Sequence, residues 1–495
     1  MTNHIISKST FIRGNQCVKS LYLNKNNPEL KDKITPGQQA IFDKGHSVGF
    51  LAQQLFPDGI DLKEKYQFDY EKSIEEFQQL INKDNSVIYE APFLYDEVMS
   101  ILDMLVCENG KCKAYEVKSS TSISDTYILD SALQYWVIKN SGLELTDFCL
   151  VYLNNQYIRK GELDLKQLFV IESVLDRIIP LQNTISEKVE EFKNILIDNK
   201  VPDIDIGQHC DSPYTCDFHG YCWQHIPEYS IFNISRLFTD EKFELYKNGI
   251  IKFEDIPSDY PLNTKQKQQV ECELNQTSII STKEIQEFLS GLNYPLYFLD
   301  FETFQPAVPM FDNSKPYQQM PSQYSLHYLE TKNLELKHFE FLAEAILKID
   351  PRIGFIEKLI EDTRTPGDIL VYNIAFERTR LLEIAKDFPQ YANDIENIVL
   401  RLKDLMIPFQ NRYFYKPEMR GSYSIKAVLP ALVPERSYKD LEISGGGQAS
   451  ASFESLYFEN DIDKINSVRK NLLEYCKLDT FAMVKLLQEL EKGLI

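Results

Sequence analysis

Apolar and polar positions along the chain change period several times, and each change predicts an element boundary. Ile41, Phe42, Val48, Leu51, Ala52 and Leu55 recur at the spacing of one helix face, and Pro57 stops the run. Strand-like apolar runs follow at 86–93, 98–106 and 113–118, then a helical pattern at 130–139 and another strand at 148–153. A cysteine-rich loop covers 210–222, and 227–290 is polar and helical in pattern with a turn at Gly249. After Pro295 the strand period returns at 296–301, in a β-like stretch over 324–341, and at 369–372. A helix is predicted over 374–386 and a last one over 465–491. Helices and short strands in this order predict a mixed α/β chain of two modules joined by a helical connector.

A length of 495 residues fits two or three domains, and 43% hydrophobic with 26% charged residues is ample for several cores. No apolar run approaches the ~18 residues of a membrane helix, and the first residues lack an apolar signal core, so a cytoplasmic protein without membrane contact is expected. The net charge of −21 opposes nonspecific coating of nucleic acid. It leaves room for a local groove in which acids hold metal ions. Nine cysteines in a long chain read as metal ligands or free thiols rather than as a disulfide framework.

The acids carry the chemistry. Asp103 interrupts the apolar run Met99–Val106, where a carboxylate is costly without a partner or a metal. In the next strand Glu116 and Lys118 share one face by the period of two. Two carboxylates and an amine converging from adjacent strands suit metal-assisted phosphodiester hydrolysis, with Mg²⁺ or Mn²⁺ on the acids and the lysine at the attacking water. Glu90 is a further candidate ligand from the preceding strand. The competing reading is a Glu116–Lys118 pair on a solvated face. Asp103, Glu116-Val-Lys118 and then Gln134-Tyr135 resemble the PD-(D/E)XK nuclease fold, in its RecB-like branch. The resemblance implies a catalytic Gln134 beside Lys118 and a substrate-binding Tyr135. Where that branch carries a metal-binding histidine, this chain has Gly49, with His46 displaced within Gly45-His-Ser-Val-Gly49.

Cys210, Cys216 and Cys222 are each separated by five residues in a loop rich in Asp, Gly, Pro and aromatics. In RecB-like nucleases of the AddB and CRISPR-associated types, a fourth cysteine near the N-terminus completes a [4Fe–4S] site, and Cys17 resembles it. Zinc is the alternative, with His209, His219 or His225 as spare ligands. The remaining cysteines, Cys107 and Cys112 among them, read as ordinary thiols.

A second acidic constellation lies near the C-terminus. Asp300 and Glu302 share one face of an apolar strand, and Tyr475 and Asp479 are one helical turn apart. With Asn373-Ile-Ala-Phe-Glu377 between them, these resemble the DEDD exonucleases of the RNase H-like fold, in the tyrosine subclass. The resemblance implies two divalent ions on Asp300, Glu302, Glu377 and Asp479, a water-positioning Tyr475, and a substrate-binding Asn373. Glutamate stands at 377 where that family has aspartate, and Asp404 is a secondary candidate. Gly445-Gly-Gly447 lacks the Lys-Ser/Thr of a phosphate loop and reads as a flexible loop.

The expectation is therefore an α/β chain with a restriction-endonuclease-like module over 1–226, a helical connector over 227–290 and an RNase H-like module over 291–495. Its expected activity is metal-dependent hydrolysis of DNA or RNA at single-stranded ends, with Mg²⁺ or Mn²⁺ at both sites and 3′–5′ polarity at the second, in repair or defence. The alternatives are a nucleic-acid-binding adaptor with one or both sites decayed, and a zinc-stabilised scaffold for protein partners.

Overall fold

The computed structural model describes residues 5–67, 69–81, 85–198, 200–332, 334–438 and 441–493. The chain is mixed α/β and divides into two compact units at His225/Ile226, with Ala307–Pro309 counted in the first. Residues 227–290, read as a connector, belong to the second unit. Among the described residues no helix is long and apolar enough to cross a membrane.

In the first unit a seven-stranded sheet runs in the order Ile60–Asp61, Asn85–Tyr95, Val98–Glu108, Lys111–Lys118, Leu145–Leu153 and Phe169–Ser173, with Ile6–Ser7 beside Val98–Glu108. Lys111–Lys118 pairs antiparallel with Val98–Glu108 and parallel with Leu145–Leu153. The parallel pair needs a crossover, supplied by helix Asp125–Asn140. Its residues from Asp130 to Ile138 are all buried, so this helix lies inside the unit. Cys107 and Cys112 face each other across the hairpin and are disulfide-bonded, which corrects their reading as unpaired thiols. The helix predicted at 41–56 runs Pro36–Gln53, opened by a Thr35–Gln38 capping box. Only Val48 and Ala52 on it are buried, while Ile41 is 66% exposed.

The second unit holds a five-stranded sheet in the order Lys337–Leu342, Met320–Leu329, Leu296–Phe304, Ile369–Val371, Leu402–Asp404. The first three strands are antiparallel neighbours and the last two run parallel to Leu296–Phe304. The period of two divides the central strand. Tyr297, Leu299 and Phe301 join one core with Tyr324 and Phe355. Leu296, Phe298 and Phe304 join another with Leu472, Tyr475 and Met483 of helix Ile462–Lys492. Asp300 and Glu302 thus lie on the face that the long helix covers. Residues 226–290 form a small core of Ile231, Ile234, Leu245, Phe253 and Val270, and Ile279–Ile280 pairs with Phe414–Tyr415.

Candidate active site

In the first unit the E-x-K strand brings Glu116 and Lys118 together: Lys118 Nζ donates to Glu116 Oε1 at 3.0 Å. The pair is not on a solvated face, because Glu116 is buried and the Lys118 side chain is 16% exposed. Lys8 Nζ donates to the same carboxylate at 2.9 and 3.2 Å, and Lys118 Nζ also donates to Asp130 Oδ2 at 2.5 Å. Burial raises the cost of the Glu116 charge, but Lys118 and Lys8 outweigh it and hold the carboxyl at about 2. Asp103 goes the other way, to about 7, through burial and the neighbouring Glu116 charge. Its Oδ2 accepts the Val117 N–H at 2.6 Å, just past the end of the ladder between the two strands.

Of the other residues expected at this site, Glu90 lies close enough for the Lys8 and Glu116 charges to act on its carboxyl, which burial raises. Glu90 sits at a positive φ of 53° with Oε2 3.7 Å from Lys63 Nζ. Gln134 is fully buried, and its Oε1 accepts from Ser100 Oγ at 3.2 Å rather than meeting Lys118. Tyr135 packs in the hydrophobic core, so the expected substrate contact is corrected to a packing role. His46 is exposed on its helix. Lys8 and Asp130 were missed. Asp130 carried the signal used for Asp103, an acid inside an apolar run. Lys8 carried none, since only the fold brings it to Glu116.

Cys17, Cys210, Cys216 and Cys222 line one cavity, and all four are free thiols. Cys17 sits at the junction of helices Lys8–Gln16 and Val18–Asn26. Gln16 ties that junction to the loop by donating to the carbonyls of His209 and Tyr214, each at 2.7 Å. Arg13 adds a 2.5 Å bond to Asp217, and Lys19 donates to the Ile204 carbonyl at 3.0 Å. Among the described residues, the donor atoms of no three of these cysteines and the neighbouring His209 and His219 lie within 4.8 Å of one another. His209 and His219 line the same cavity.

In the second unit the donor oxygens of Asp300, Glu302 and Asp479 all lie within 4.8 Å of one another. Three carboxylates this close repel unless protonated or bridged by cations. Burial, then the Asp479 charge, pushes Asp300 well above the carboxylate range and Glu302 to about 8. Asp479 rises to about 6 by burial, restrained by the Tyr438 hydroxyl, which donates to its Oδ1 at 2.6 Å. Glu377, in the first turn of helix Ile374–Asp387, is 2% exposed. Its Oε2 has no hydrogen-bond partner, and burial raises the carboxyl to about 8. Glu377 lies close enough to Asp300 for its charge to raise that group further.

Tyr475 is buried beside these acids, one turn before Asp479, so the two are not a surface helix pair. Lys426 places its ammonium 4.9 Å from the Tyr475 ring and 5.4 Å from the Tyr438 ring, and its charge holds Asp479 and Glu302 down. Lys426, Tyr438 and Cys476, whose Sγ is 3.7 Å from Asp300 Oδ2, were not anticipated. Asn373 is the left-handed cap residue at φ 85°, and its N–H and that of Ile374 donate to Asp404 at 3.2 Å. Asp404 therefore caps the helix that carries Glu377, and its charge acts on the Glu377 carboxyl. Gly445–Gly447 is no free loop: Gly446 opens helix Gly446–Ser455, and a Cβ there would lie 3.8 Å from Glu302 Oε2.

Residues 297–424 match the model of a domain of unknown function, DUF2779. The matched span contains Asp300, Glu302 and Glu377 and stops short of Tyr475 and Asp479. The chain is also similar to "Uncharacterized protein MG366 homolog" of Mycoplasma pneumoniae, 27% identical over 409 residues, which are 70% of this chain and 59% of that protein. "Uncharacterized protein UU173" of Ureaplasma parvum is 27% identical over 210 residues, 38% of this chain and 30% of that protein. The chain thus spans less than two thirds of either relative.

Proposed function

We propose that this protein is a metal-dependent nuclease whose activity resides in the second unit, as a 3′–5′ exonuclease acting on single-stranded DNA or RNA ends. The observation that carries the reading is the gathering of Asp300, Glu302 and Asp479 oxygens within 4.8 Å inside the unit, with Lys426 the nearby cation among the described residues. The donor set is all oxygen, which suits Mg²⁺ or Mn²⁺. Asp300, Glu302, Asp479 and Glu377, whose Oε2 has no partner, would hold the ions. Such ions supply Lewis acidity at the attacking and leaving oxygens of a phosphodiester. Tyr475 orients the attacking water, and Lys426 offsets the negative charge of the incoming phosphate.

For the first unit the reading is a RecB-like nuclease domain clasped by a [4Fe–4S] cluster on Cys17, Cys210, Cys216 and Cys222. The four cysteines share one cavity, and their resemblance to the AddB and CRISPR-associated set favours the cluster, with zinc as the alternative. The adaptor reading applies to this unit alone, and one observation favours it: Glu116 already takes both Lys8 and Lys118, so a metal must compete with two ammonium groups. Calorimetric titration of Mn²⁺ into the metal-depleted full chain tests the assignment of the two centres. Two ions lost together on Asp300→Asn support it, and ions lost instead on Glu116→Gln reverse it.

A further inference from the structure

A second charged cavity in the C-terminal unit has the opposite sign. It encloses about 270 Å³ and is lined by Arg236, Lys265 and Arg412, with Ser235, Ser422 and Tyr423 supplying hydroxyls. None of the described residues lining it is Asp or Glu, in a chain that carries 74 of them. The three cations instead bond neutral acceptors. Lys265 Nζ donates to the Gln410 carbonyl at 2.8 Å and to Asn411 Oδ1 at 3.1 Å. Arg236 donates to the Tyr423 hydroxyl at 2.8 Å, and Arg412 to Gln269 Oε1 at 3.3 Å.

Arg412 adds a fixed positive charge at the back of the cavity. It is 5% exposed, stacks over the Tyr415 ring at 4.3 Å, and leaves one terminal guanidinium nitrogen buried with no partner. A buried donor on a permanent cation is costly to leave unmade, more so with two further cations beside it. Their mutual repulsion is visible at Lys265, which burial and then Arg236 and Arg412 hold below the usual lysine range. The scaffold is firm: Gln269, fully buried, receives Arg412 on Oε1 and donates from Nε2 to the Asn233 carbonyl and the Tyr229 hydroxyl, each at 3.0 Å.

We infer that this cavity is a binding site for a phosphoryl group, received by the Lys265 ammonium and the Arg236 guanidinium, with the buried Arg412 guanidinium supplying positive charge behind them. A phosphoryl group brings nearly two negative charges and three acceptor oxygens, matching a guanidinium fork and an ammonium. The volume lies just under the ~300 Å³ at which pockets begin to hold drug-sized ligands, so the anionic group enters and the rest of its molecule stays outside. The group is either the free anion or the terminal phosphomonoester of a nucleic-acid strand, since an internal phosphodiester carries one charge and two free oxygens. The inference does not rest on the acidic centre.

Titration of the metal-depleted full chain with inorganic phosphate at constant ionic strength tests it, with acetate as the monoanionic comparator. Saturable phosphate binding is expected, tighter than acetate and weakened at least tenfold in Arg236→Ala/Lys265→Ala. The charge-matched Lys283→Ala/Lys470→Ala, changed at exposed lysines, binds as wild type. Both substituted cations of the first variant are partly or fully exposed, so its fold is retained, checked by its circular dichroism. A short 5′-phosphorylated oligothymidylate added to the phosphate-loaded chain separates the two sources. Competition assigns the site to a strand phosphate, and its absence assigns it to a free anion. No saturable binding, equal binding of acetate, or equal loss in both double variants overturns the inference.

Discussion

The phenol of Tyr438 donates a 2.6 Å hydrogen bond to Oδ1 of Asp479, joining the segment after helix Ile425–Leu432 to the centre of helix Ile462–Lys492. Both groups are buried, and this bond, ahead of Lys426 and Tyr475, restrains the rise of the Asp479 carboxyl, which stays the lowest of the three. If Asp479 holds a metal, its ionisation is thus tuned by a tyrosine outside the acidic motif.

Tyr438→Phe keeps the ring and removes the donor. A bond to a charged acceptor is worth about 1.5–3 kcal/mol, so the Asp479 pKa should rise by about one unit or more. The pH midpoint of Mn²⁺ binding, measured by calorimetry between pH 5 and 8, should move up accordingly. An unchanged midpoint removes Asp479 from the metal ligands.

Glu302 and Glu377, both held near 8, give a signed pH dependence. Each folded pKa lies above the unfolded value, so the folded chain binds more protons between the two. The stability they contribute is present in full below the unfolded carboxyl pKa and is lost as pH rises through about 8. The metal-free Tm should fall from pH 6 to pH 8.5, and less so in Glu302→Gln/Glu377→Gln. Mn²⁺ should raise the wild-type Tm more at pH 8.5 than at pH 6. Equal slopes in wild type and variant contradict this.

Lys118→Ala breaks the first cluster by a route the sequence did not reveal. On a solvated face, the competing reading, a lysine contributes only ~0–1 kcal/mol. The structure pairs it with Glu116 and Asp130, both buried, so its loss leaves Asp130 without a cation and Glu116 with Lys8 alone. Breaking a buried pair costs about 3–5 kcal/mol. Hydrogen exchange of the strand Lys111–Lys118 should accelerate ~100-fold or more, while exchange in the second unit stays as in wild type. Unchanged protection of that strand contradicts the pairing.

Protein purified without oxygen should be brown, with broad absorbance around 400 nm that Cys216→Ser removes. Colourless protein holding one zinc ion per chain contradicts the cluster.

Local periodicity made most of the architecture legible. The strands at 86–93, 98–106, 113–118 and 296–301, and the last helix, all appear within a few residues of their expected ends. Asp300 with Glu302, and Tyr475 with Asp479, were readable because each pair shares one element, and the period of that element fixes its face. What joins elements was not readable. Lys8 reaches Glu116 across 108 residues, and Tyr438 reaches Asp479 across 41, with no local pattern to mark either. Gln134 misled because a helix buried on all sides presents no face that periodicity can assign. The cationic cavity was invisible for the same reason, since Arg236, Lys265 and Arg412 come from three distant segments.

The measurement closest to the central claim is the degradation of single-stranded DNA and RNA, labelled at the 5′ end, by the full chain with Mg²⁺ or Mn²⁺. The account predicts a ladder shortening stepwise from the 3′ end, abolished by Asp300→Asn, strongly slowed by Tyr475→Phe and retained in Glu116→Gln. No cleavage with either ion, or a ladder that survives Asp300→Asn, contradicts it.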